Sequence, residues 1–491
     1  MDTQEMLDLL PAELPPETVS RDAGEISRLQ TVNPYLSDGV SPSLVVRPRD
    51  VQELRRVVSL AGESGIGVLV ASSTGPHCKG GLSCGEQHIV VDLSPWKTID
   101  LIDRRNRVCR IAPGVTYGEL LQVLEPFGLT VPMPLAPRKG KSVLAAVMDR
   151  EPSTWPNKHW DTADPVASTE LIFGAGELFR TGAAGGPGSL EKQREAGGAQ
   201  KSPLGPSQTD FHRVVQAAQG TLGIVTWITL RAELRPSLER PLLLGASTLD
   251  ALLPFVYEVQ RAGLGEHSFV LDRAAAALFM SAGSPGSYTA ALSSLPEYLC
   301  LQNVAGFERL ASERVAYQYE DIGEIALRHG LTLSTALGEL SAEGLLRAAI
   351  RPCGEHDWRH ATRGHCLRIF FLTTLDRSPG FINTVRALCT RYRIPGEGLA
   401  TYIQPIVQNH ACHIEFMLPF RPDDSAETDL VRRFEHDAVH SLAEQGAFFS
   451  RPYGTAGEVA FAANPLNFQI LKKVKGIFDP KGILNPGKWN L

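Results

Sequence analysis

The residues whose types and spacing best suit chemistry lie in YIQPIVQNHACHIEF, residues 402–416. Apolar and polar residues alternate there, which predicts a strand with His413 and Glu415 on one face and apolar side chains on the other. A histidine and a carboxylate placed in this way, with Tyr402 in the same strand, could supply a general base or metal ligands that face a cavity. A strand with one solvent-facing polar side explains the same alternation, and the sequence leaves both interpretations open.

A second candidate cluster follows in SRPYG, residues 450–454. The guanidinium of Arg451 and the hydroxyl of Tyr453 could stabilise a phenolate or a carboxylate. The alternatives are a surface ion pair for Arg451 and a core aromatic ring with a satisfied hydroxyl for Tyr453. We favour the functional interpretation of both residues.

Two further clusters are weaker. In HDWRHATRGH, residues 356–365, two histidines have the i, i+4 spacing of a helix, but no third ligand is placed to complete a metal site, and we predict none. WPNKHWD, residues 155–161, could shape a pocket through its aromatic rings and Asp161, or it could simply anchor a loop.

Three loops could hold a phosphate-bearing cofactor. The first is STGPHCKGG, residues 73–81, where glycines allow backbone N–H groups to converge on a pyrophosphate. The others are QGTLGIVT, residues 219–226, and FDPKGILNPGK, residues 478–488. When the first loop is taken alone, a plain connection between strands explains it better.

These loops must be positioned by the elements around them. Strands are predicted in SPSLVVRP, IGVLVASS, HIVVDLS and RVCRIAPG, within residues 41–114. Helices are predicted in residues 50–65, capped by Asp50, and in residues 116–128. The segment nearest to a GxGxxG fingerprint begins at Gly174, but it lies between two strand-like runs, so we predict a hairpin turn and no Rossmann phosphate loop.

The chain is too long for a single core, and we predict an α+β protein of several parts. Residues 183–210 are rich in Gly, Pro and Ser and predict a long surface excursion. After Pro236 the predicted helices and strands alternate without the glycine-rich loops of the preceding part. We therefore expect a first domain over residues 1–236, a second over residues 237–440, and a C-terminal segment, residues 441–491, that returns to the first.

Composition excludes several classes of function. The formal net charge is -6, with no basic stripe, so nucleic acid and anionic membrane surfaces are poor partners. We find no secretory signal and no apolar run long enough to cross a bilayer. The eight cysteines form no CxxC pair, which favours reduced thiols and a cytoplasmic location.

The order of these motifs resembles the FAD-dependent oxidoreductases of the vanillyl-alcohol oxidase and p-cresol methylhydroxylase type, which include FAD-linked D-lactate and glycolate dehydrogenases. The resemblance covers roughly residues 42–236 and 395–491. It implies a two-subdomain FAD-binding domain with an α+β cap domain over the flavin. It also implies an FAD-dependent oxidase or dehydrogenase that oxidises a small organic substrate by hydride transfer to flavin N5. The substrate would be an aromatic alcohol, an alkylphenol or a 2-hydroxy acid.

The resemblance implies cofactor contacts for several residues. Asn485 and Lys488 would approach the flavin ring. Residues 132–146 match the family's usual second FAD loop but lack its Gly-Gly pair, with Ala145 and Ala146 nearby, and the charges of Arg138, Lys139 and Lys141 could face the phosphates or solvent. The loop at residues 73–81 would hold the pyrophosphate, through Ser73, Thr74, Gly75, Pro76, His77, Cys78 and Gly81. Gly223, Ile224 and Val225 would lie along the adenine and ribityl end. Pro132, Ser142 and Val143 would supply further contacts from the segment that matches the family's second FAD loop.

Two departures from the family bear on the chemistry. In some members a histidine at the place of His77 bonds the flavin 8α-methyl group, but Pro76 here replaces a glycine, so covalent and non-covalent FAD both stay open. His413 only approximately matches the metal-binding or substrate-binding histidine of the hydroxy-acid dehydrogenases. Their Glu-His-Gly is replaced by the segment that holds Arg451 and Tyr453, which resembles the phenol-oxidising branch.

Two alternatives to a self-contained enzyme stay open. The chain could be the FAD subunit of a larger complex that passes electrons to a separate iron–sulfur or cytochrome subunit. Because the chain has no clustered cysteines, such a cluster would belong to the partner. The chain could also be a non-catalytic subunit that kept the fold and lost the flavin. The sequence predicts no oligomeric state beyond a homo-oligomer as one option.

Overall fold

The computed structural model describes residues 3–29, 40–75, 84–160, 163–186, 188–195, 211–281, 285–407 and 411–489. Pro76, His77, Cys78, Gly81 and Asp161 lie outside these ranges, so the interpretations placed on them stay predictions. Each cysteine in the described ranges has a free thiol. Within the same ranges, no helix is both long enough and apolar enough to span a membrane.

The N-terminal part forms a four-stranded sheet of order β1-β2-β4-β3. Asp50 caps the helix α3 by accepting hydrogen bonds from Gln52 and Glu53, and the helix ends at Gly65 in the left-handed conformation. Strands β3 and β4 pair in parallel, as expected for strands joined by a crossover. The elements are α1 (Thr3–Glu13), β1 (Val19–Ser20), α2 (Ala23–Leu29), β2 (Val45–Val46), α3 (Val51–Ser64), β3 (Gly67–Ala71) and β4 (His88–Asp92).

A five-stranded antiparallel sheet of order β5-β6-β10-β8-β9 follows, beside a small β7–β11 pair. The helix α4 begins with a capping box between Thr116 and Glu119. The elements are β5 (Ile99–Asp103), β6 (Val108–Ile111), α4 (Tyr117–Leu124), β7 (Leu129–Thr130), α5 (Val143–Met148), β8 (Val166–Ile172), β9 (Leu178–Arg180), α6 (Leu190–Glu195), α7 (Phe211–Val215), β10 (Ile224–Arg231) and β11 (Glu233–Leu234).

The third part, here called the cap, is built on a six-stranded antiparallel sheet of order β12-β14-β13-β18-β19-β17. Helices cover both faces, so its central strands are buried throughout. The strands are β12 (Leu238–Ala246), β13 (His267–Asp272), β14 (Tyr298–Gly306), β17 (His365–Thr373), β18 (Ala400–Val407) and β19 (Ala411–Phe420), with a separate pair β15 (Ala336–Leu337) and β16 (Leu340–Ser341). The helices are α8 (Leu249–Ala262), α9 (Arg273–Met280), α10 (Pro285–Ser294), α11 (Ala311–Arg328), α12 (Ala342–Ala349), α13 (Ser378–Tyr392) and α14 (Ser425–Glu444).

The chain then returns to the first sheet through α15 (Thr455–Ala462) and α16 (Pro465–Phe478). Val68 donates a backbone hydrogen bond to Ile483 at 2.8 Å, and Leu484 forms a parallel bridge with Val68. The side chains of Ile483 and Leu484 are buried in the core of the first sheet, together with Ile172 from the second. The C-terminal segment therefore joins the first two sheets.

Two local predictions can be compared directly with these elements. The turn after Gly174 joins the antiparallel strands β8 and β9, which confirms the predicted hairpin. The single strand predicted over residues 402–416 is wrong, because that segment is divided into β18 and β19, which pair antiparallel. The alternation itself holds within β19: Ile414 packs in the core on one face, while His413 and Glu415 lie on the other.

Candidate active site

A cavity of about 350 Å³ lies where the first two sheets meet the cap. Its wall comes from the end of β3, the loops around α5, the start of β10, the cap and the C-terminal segment. Charged, apolar and glycine residues share this wall, including Ser73, Leu144, Asp149, Gly223, Arg359 and Lys488. Cavities between domains are common binding sites because each domain can hold one of two reactants there.

Asn485 ties three parts of this wall together. Its backbone N–H donates to Val68 at 2.9 Å, and its side-chain Nδ2 donates to the carbonyl of Gln219 at 2.7 Å. Its Oδ1 accepts from the N–H of Val70 at 3.2 Å. Asn485 has a φ of 42°, in the left-handed region that asparagine tolerates better than most residues. It thereby fixes the C-terminal segment and the loop before β10 against the end of β3.

Glycines allow this close approach. A Cβ on Gly220, whose φ is 72°, would lie 2.2 Å from Nδ2 of Asn485. A Cβ on Gly223 would lie 2.6 Å from Cδ1 of Leu171. Either contact would push the loop away from its neighbours. Gly223 lines the cavity with the next two residues, Ile224 and Val225.

The described part of the first glycine-rich loop is held by Arg138. This guanidinium donates to the carbonyl of Thr74 at 2.5 Å and to that of Gly75 at 3.1 Å. Ser73 Oγ accepts a hydrogen bond from the N–H of Ser142 at 2.9 Å. Ser73 and Arg138 line the cavity, so a positive charge stands at the predicted phosphate loop.

The remaining predicted cofactor residues lie behind this wall. Ser142 caps α5, since its Oγ accepts from the N–H of Ala145 at 3.0 Å, and it donates to the carbonyl of Pro113 at 2.6 Å. Ser142 and Val143 are fully buried, and neither they nor Pro132 line the cavity. From the same segment the residues that do line it are Pro134, Leu135, Pro137, Arg138, Lys141, Leu144 and Ala145.

A buried charge network closes the cap side of the cavity. Glu415, 1% exposed, accepts from Nε of Arg359 at 3.0 Å and from its Nη2 at 3.4 Å, and also from Nε of Arg368. Nη1 of Arg359 donates to Asp357 at 3.2 Å. Burial alone would raise the pKa of Glu415, but the two arginines hold it well below the usual range. For the same reason the pKa of Asp357 is lowered to about 2.

Asp149 forms a second polar centre in the cavity wall. Its Oδ1 accepts from the hydroxyl of Tyr453 at 2.5 Å, and its Oδ2 from Nη1 of Arg451 at 3.3 Å. The guanidinium of Arg451 lies 4.4 Å from the ring centre of Phe370. Burial and the neighbouring Asp149 raise the pKa of Tyr453 well above its usual value, so its hydroxyl stays protonated at neutral pH. Asp149 and Tyr453 line the cavity.

The five residues predicted to be catalytic occupy different positions. Tyr453 reaches the cavity, while Arg451 and Glu415 contact residues that line it. His413 Nε2 lies 3.5 Å from Glu415, behind the arginines. Tyr402 is buried, and its hydroxyl donates to Gln404 at 2.7 Å.

Sequence reasoning missed Asp149, Arg359 and Arg368. For Asp149, which follows the apolar helix α5 directly, we find no distinguishing sequence signal. Arg368 has a sequence signal, since it is a lone charge within the apolar strand β17. Arg359 lies within the histidine-rich segment, in which the histidine spacing gave the only sequence signal.

The weaker clusters serve as anchors between elements. His360 stacks on His365 with ring centres 4.8 Å apart, and burial lowers the pKa of His360 to about 4. The indole of Trp155 donates to Nε2 of His267 in β13 at 2.5 Å, which ties its loop to the cap. Among the described residues, no three His, Cys, Asp or Glu side chains could together hold a metal ion.

Comparisons with known proteins match this architecture. The family model of the FAD binding domain matches residues 42–182, and that of the C-terminal domain of FAD linked oxidases matches residues 372–489. D-2-hydroxyglutarate dehydrogenase of Stutzerimonas stutzeri is 22% identical, over 91% of this chain and 91% of the relative. The mitochondrial D-lactate dehydrogenase [cytochrome] of Arabidopsis thaliana is also 22% identical, over 91% of this chain and 73% of the relative.

Solved structures share the whole fold. A p-cresol methylhydroxylase with substrate bound superposes with a TM-score of 0.84 at 15% identity, covering 100% of this chain and 98% of the other. The 4-ethylphenol oxidase of Gulosibacter chungangensis gives a TM-score of 0.81 at 16% identity, covering 99% and 96%. The predicted α+β class, with an FAD-binding domain of the p-cresol methylhydroxylase type, is confirmed.

The residues at the cavity fit FAD. Lys488 lines the cavity, and its amine forms no ion pair with a described residue. Burial lowers the pKa of this amine to about 8, as expected of a cation that lacks a counter-charge. Lys488 and Arg138 thus offer positive charge to an anionic cofactor. Asn485 and the glycines before β10 bring backbone close to it.

We expect FAD affinity to fall as the pH rises through about 8. Above that pH the free Lys488 amine is neutral and must take up a proton before it can pair with an anionic group of FAD. Lys488→Arg, which stays charged, should bind FAD with little dependence on pH. Lys488→Met should lose about tenfold in affinity near pH 7. Fluorescence titration of flavin-free protein between about pH 7 and 9 measures this, and a flat wild-type profile would contradict it.

Proposed function

Because this chain belongs to the FAD-linked oxidoreductases, with both the FAD-binding domain and the C-terminal oxidase domain, we propose that it oxidises a small neutral aromatic substrate that carries a hydroxyl group. An alkylphenol or an aromatic alcohol fits this description. When bound, FAD supplies the acceptor for the hydride that leaves the substrate carbon.

Once Arg138 and Lys488 are assigned to FAD, the charge balance of the remaining cavity wall and of the residues in contact with it carries this proposal. Four cationic and four anionic side chains lie there, and each forms an ion pair with an opposite charge among the described residues. The cations are Lys141, Arg359, Arg368 and Arg451, and the carboxylates are Asp149, Glu151, Asp357 and Glu415. A carboxylate substrate would add an unbalanced charge to a site that is partly closed to water, which is costly. A neutral hydroxyl compound adds none, and it keeps the balance when it passes its proton to Asp149.

Asp149 is the proposed general base. Its carboxylate faces the cavity and is held in place by Tyr453 and Arg451, so it can accept the hydroxyl proton as the substrate is oxidised. The protonated Tyr453 and the cation of Arg451 can then stabilise the oxygen that has lost its proton. Leu135, Leu144, Met148 and Val215 also line the cavity and offer an apolar surface to an aromatic ring.

Anaerobic reduction of the bound flavin tests the proposal. We expect a 4-alkylphenol or a benzylic alcohol to bleach the flavin with a second-order rate constant at least about a hundredfold higher than that of D-lactate or D-2-hydroxyglutarate. This preference corresponds to about 2.7 kcal/mol, the magnitude expected for an unbalanced charge in a partly buried site. Faster reduction by the hydroxy acids would overturn the proposal.

A 2-hydroxy acid is the second candidate substrate. It is favoured by the two dehydrogenase relatives, which are named for 2-hydroxy acids, and by the presence of two arginines on the cap wall. Arginine recognises carboxylates by paired hydrogen bonds, and this candidate requires that Arg359 or Arg368 be free to make them. The same panel of substrates separates the two candidates.

The electron acceptor is a further proposal. A separate acceptor subunit with an iron–sulfur cluster or cytochrome, and a homo-oligomeric state, stay predictions, as does the cytoplasmic location. Oxygen consumption during turnover, compared with reduction of an artificial dye, distinguishes an oxidase from a dehydrogenase.

The non-catalytic alternative is disfavoured because Asp149, Tyr453 and Arg451 form an ordered polar centre in the cavity.

A further inference from the structure

Glu415 does not reach the cavity, yet it contacts both arginines that do. We propose that Glu415 is the specificity-determining residue of this site. Its carboxylate forms ion pairs with the two cap arginines without lining the cavity itself, and it thereby excludes substrates that carry a carboxylate. The inference rests on the proposed oxidation of a neutral substrate and explains how the chain enforces that choice. Glu415 is then a positioning residue, because it acts through Arg359 and Arg368.

The hydrogen bonds of Arg359 carry the first step. A guanidinium binds a carboxylate through two parallel N–H bonds along one edge. In Arg359, Nε and Nη2 donate to Glu415 and Nη1 donates to Asp357. Three of the five N–H groups of Arg359 therefore donate to protein carboxylates, and the edge formed by Nε and Nη2 is taken by Glu415.

Sheet register carries the second step. Arg368 on β17 is opposite Met417, and Glu415 is opposite Phe370, so Arg368 and Glu415 are diagonal neighbours on one face of the sheet. Arg359 reaches the same carboxylate from the short turn Trp358–His360, which the side chain of Asp357 caps. The buried carboxylate of Glu415 thus forms ion pairs with two arginines from separate elements.

Removal of that negative charge should convert the cap wall into an anion site. In Glu415→Gln the amide keeps the size of the side chain but leaves Arg359 and Arg368 with only Asp357 as a charged partner. The wall then carries one excess positive charge, and it faces the cavity. A carboxylate ligand, whose charge the wild-type site leaves unbalanced, should gain affinity through this excess charge, whereas a neutral ligand of the same shape should not.

Isothermal titration calorimetry of the FAD-loaded protein with 4-methylbenzoate and its neutral isostere 4-methylbenzamide tests this. In wild type we expect the amide to bind at least as tightly as the benzoate. In E415Q we expect benzoate affinity to rise at least about tenfold, with the amide changed by less than about threefold. The double variant E415Q/R368Q, which removes one charge of each sign, should restore the wild-type preference. A merely structural role for Glu415 predicts no such restoration.

A second variant tests the inference independently, in case E415Q does not fold. Asp357→Asn removes the other carboxylate of the network from the cavity wall, and asparagine keeps the cap of its turn. It should also raise benzoate affinity and leave amide affinity unchanged. An unchanged ratio of benzoate to amide affinity in both variants overturns the inference, even if wild type oxidises phenols. Preferential oxidation of hydroxy acids by wild type would overturn the proposed function first and would be seen without any variant.

Discussion

Asp149→Asn should lower the turnover number by a factor of about a hundred to ten thousand, while FAD content stays that of wild type. Asp149 is the carboxylate that faces the cavity between Tyr453 and Arg451, and an amide cannot take up the proton of the substrate hydroxyl. General base catalysis commonly contributes a factor of this size. Stopped-flow reduction of the flavin at saturating substrate measures the loss directly.

The pH profile of this variant separates a chemical role from a structural one. A phenol loses its proton to water near pH 10, so a phenolate substrate needs no base. The rate of Asp149→Asn with an alkylphenol should therefore rise about tenfold for each pH unit up to that value, whereas a benzylic alcohol should show no such recovery. Tyr453→Phe keeps the base and should lose only about tenfold. Equal losses with both substrates at every pH would argue against Asp149 as the base.

Lys475→Met should lower the free energy of unfolding by about 3–5 kcal/mol. The buried amine of Lys475 donates to the carbonyls of Thr221 at 2.7 Å and Leu484 at 2.9 Å, and it pairs with Asp479, which is 2% exposed. Methionine fills the space but leaves Asp479 charged and without its ion pair in the interior. The same substitution frees the loop before β10 and the C-terminal segment, so FAD should also bind more weakly.

Urea unfolding, followed by tryptophan fluorescence and by release of flavin, measures this effect. Asp479 also accepts from the N–H of Leu484 at 2.8 Å, so Asp479→Asn should be destabilising on its own. Lys475→Met combined with Asp479→Asn removes both charges and should cost less than the sum of the two single changes. Strictly additive costs would show that Lys475 and Asp479 do not depend on one another.

Much of the fold follows from local patterns in the chain. The caps at Asp50 and Thr116, the hairpin after Gly174 and the alternation of His413 and Glu415 all depend on residues near one another in sequence. The loops that end at Gly223 and Lys488 were found in the same way. Such patterns are visible because helix and strand periodicity and turn chemistry act over a few residues.

The sequence alone thus determined the secondary structure around the cofactor loops and placed Tyr453, Asn485 and Lys488 among the functional candidates. Only the tertiary structure decided which charges meet. Asp149 and Tyr453 are 304 residues apart, and Arg359 and Glu415 are 56 apart. Their contacts depend on the register of β17 against β19 and on how the cap packs over α5. Long-range pairing of buried charges leaves no local sequence pattern, because the oppositely charged partner that stabilises each residue lies far away in the chain.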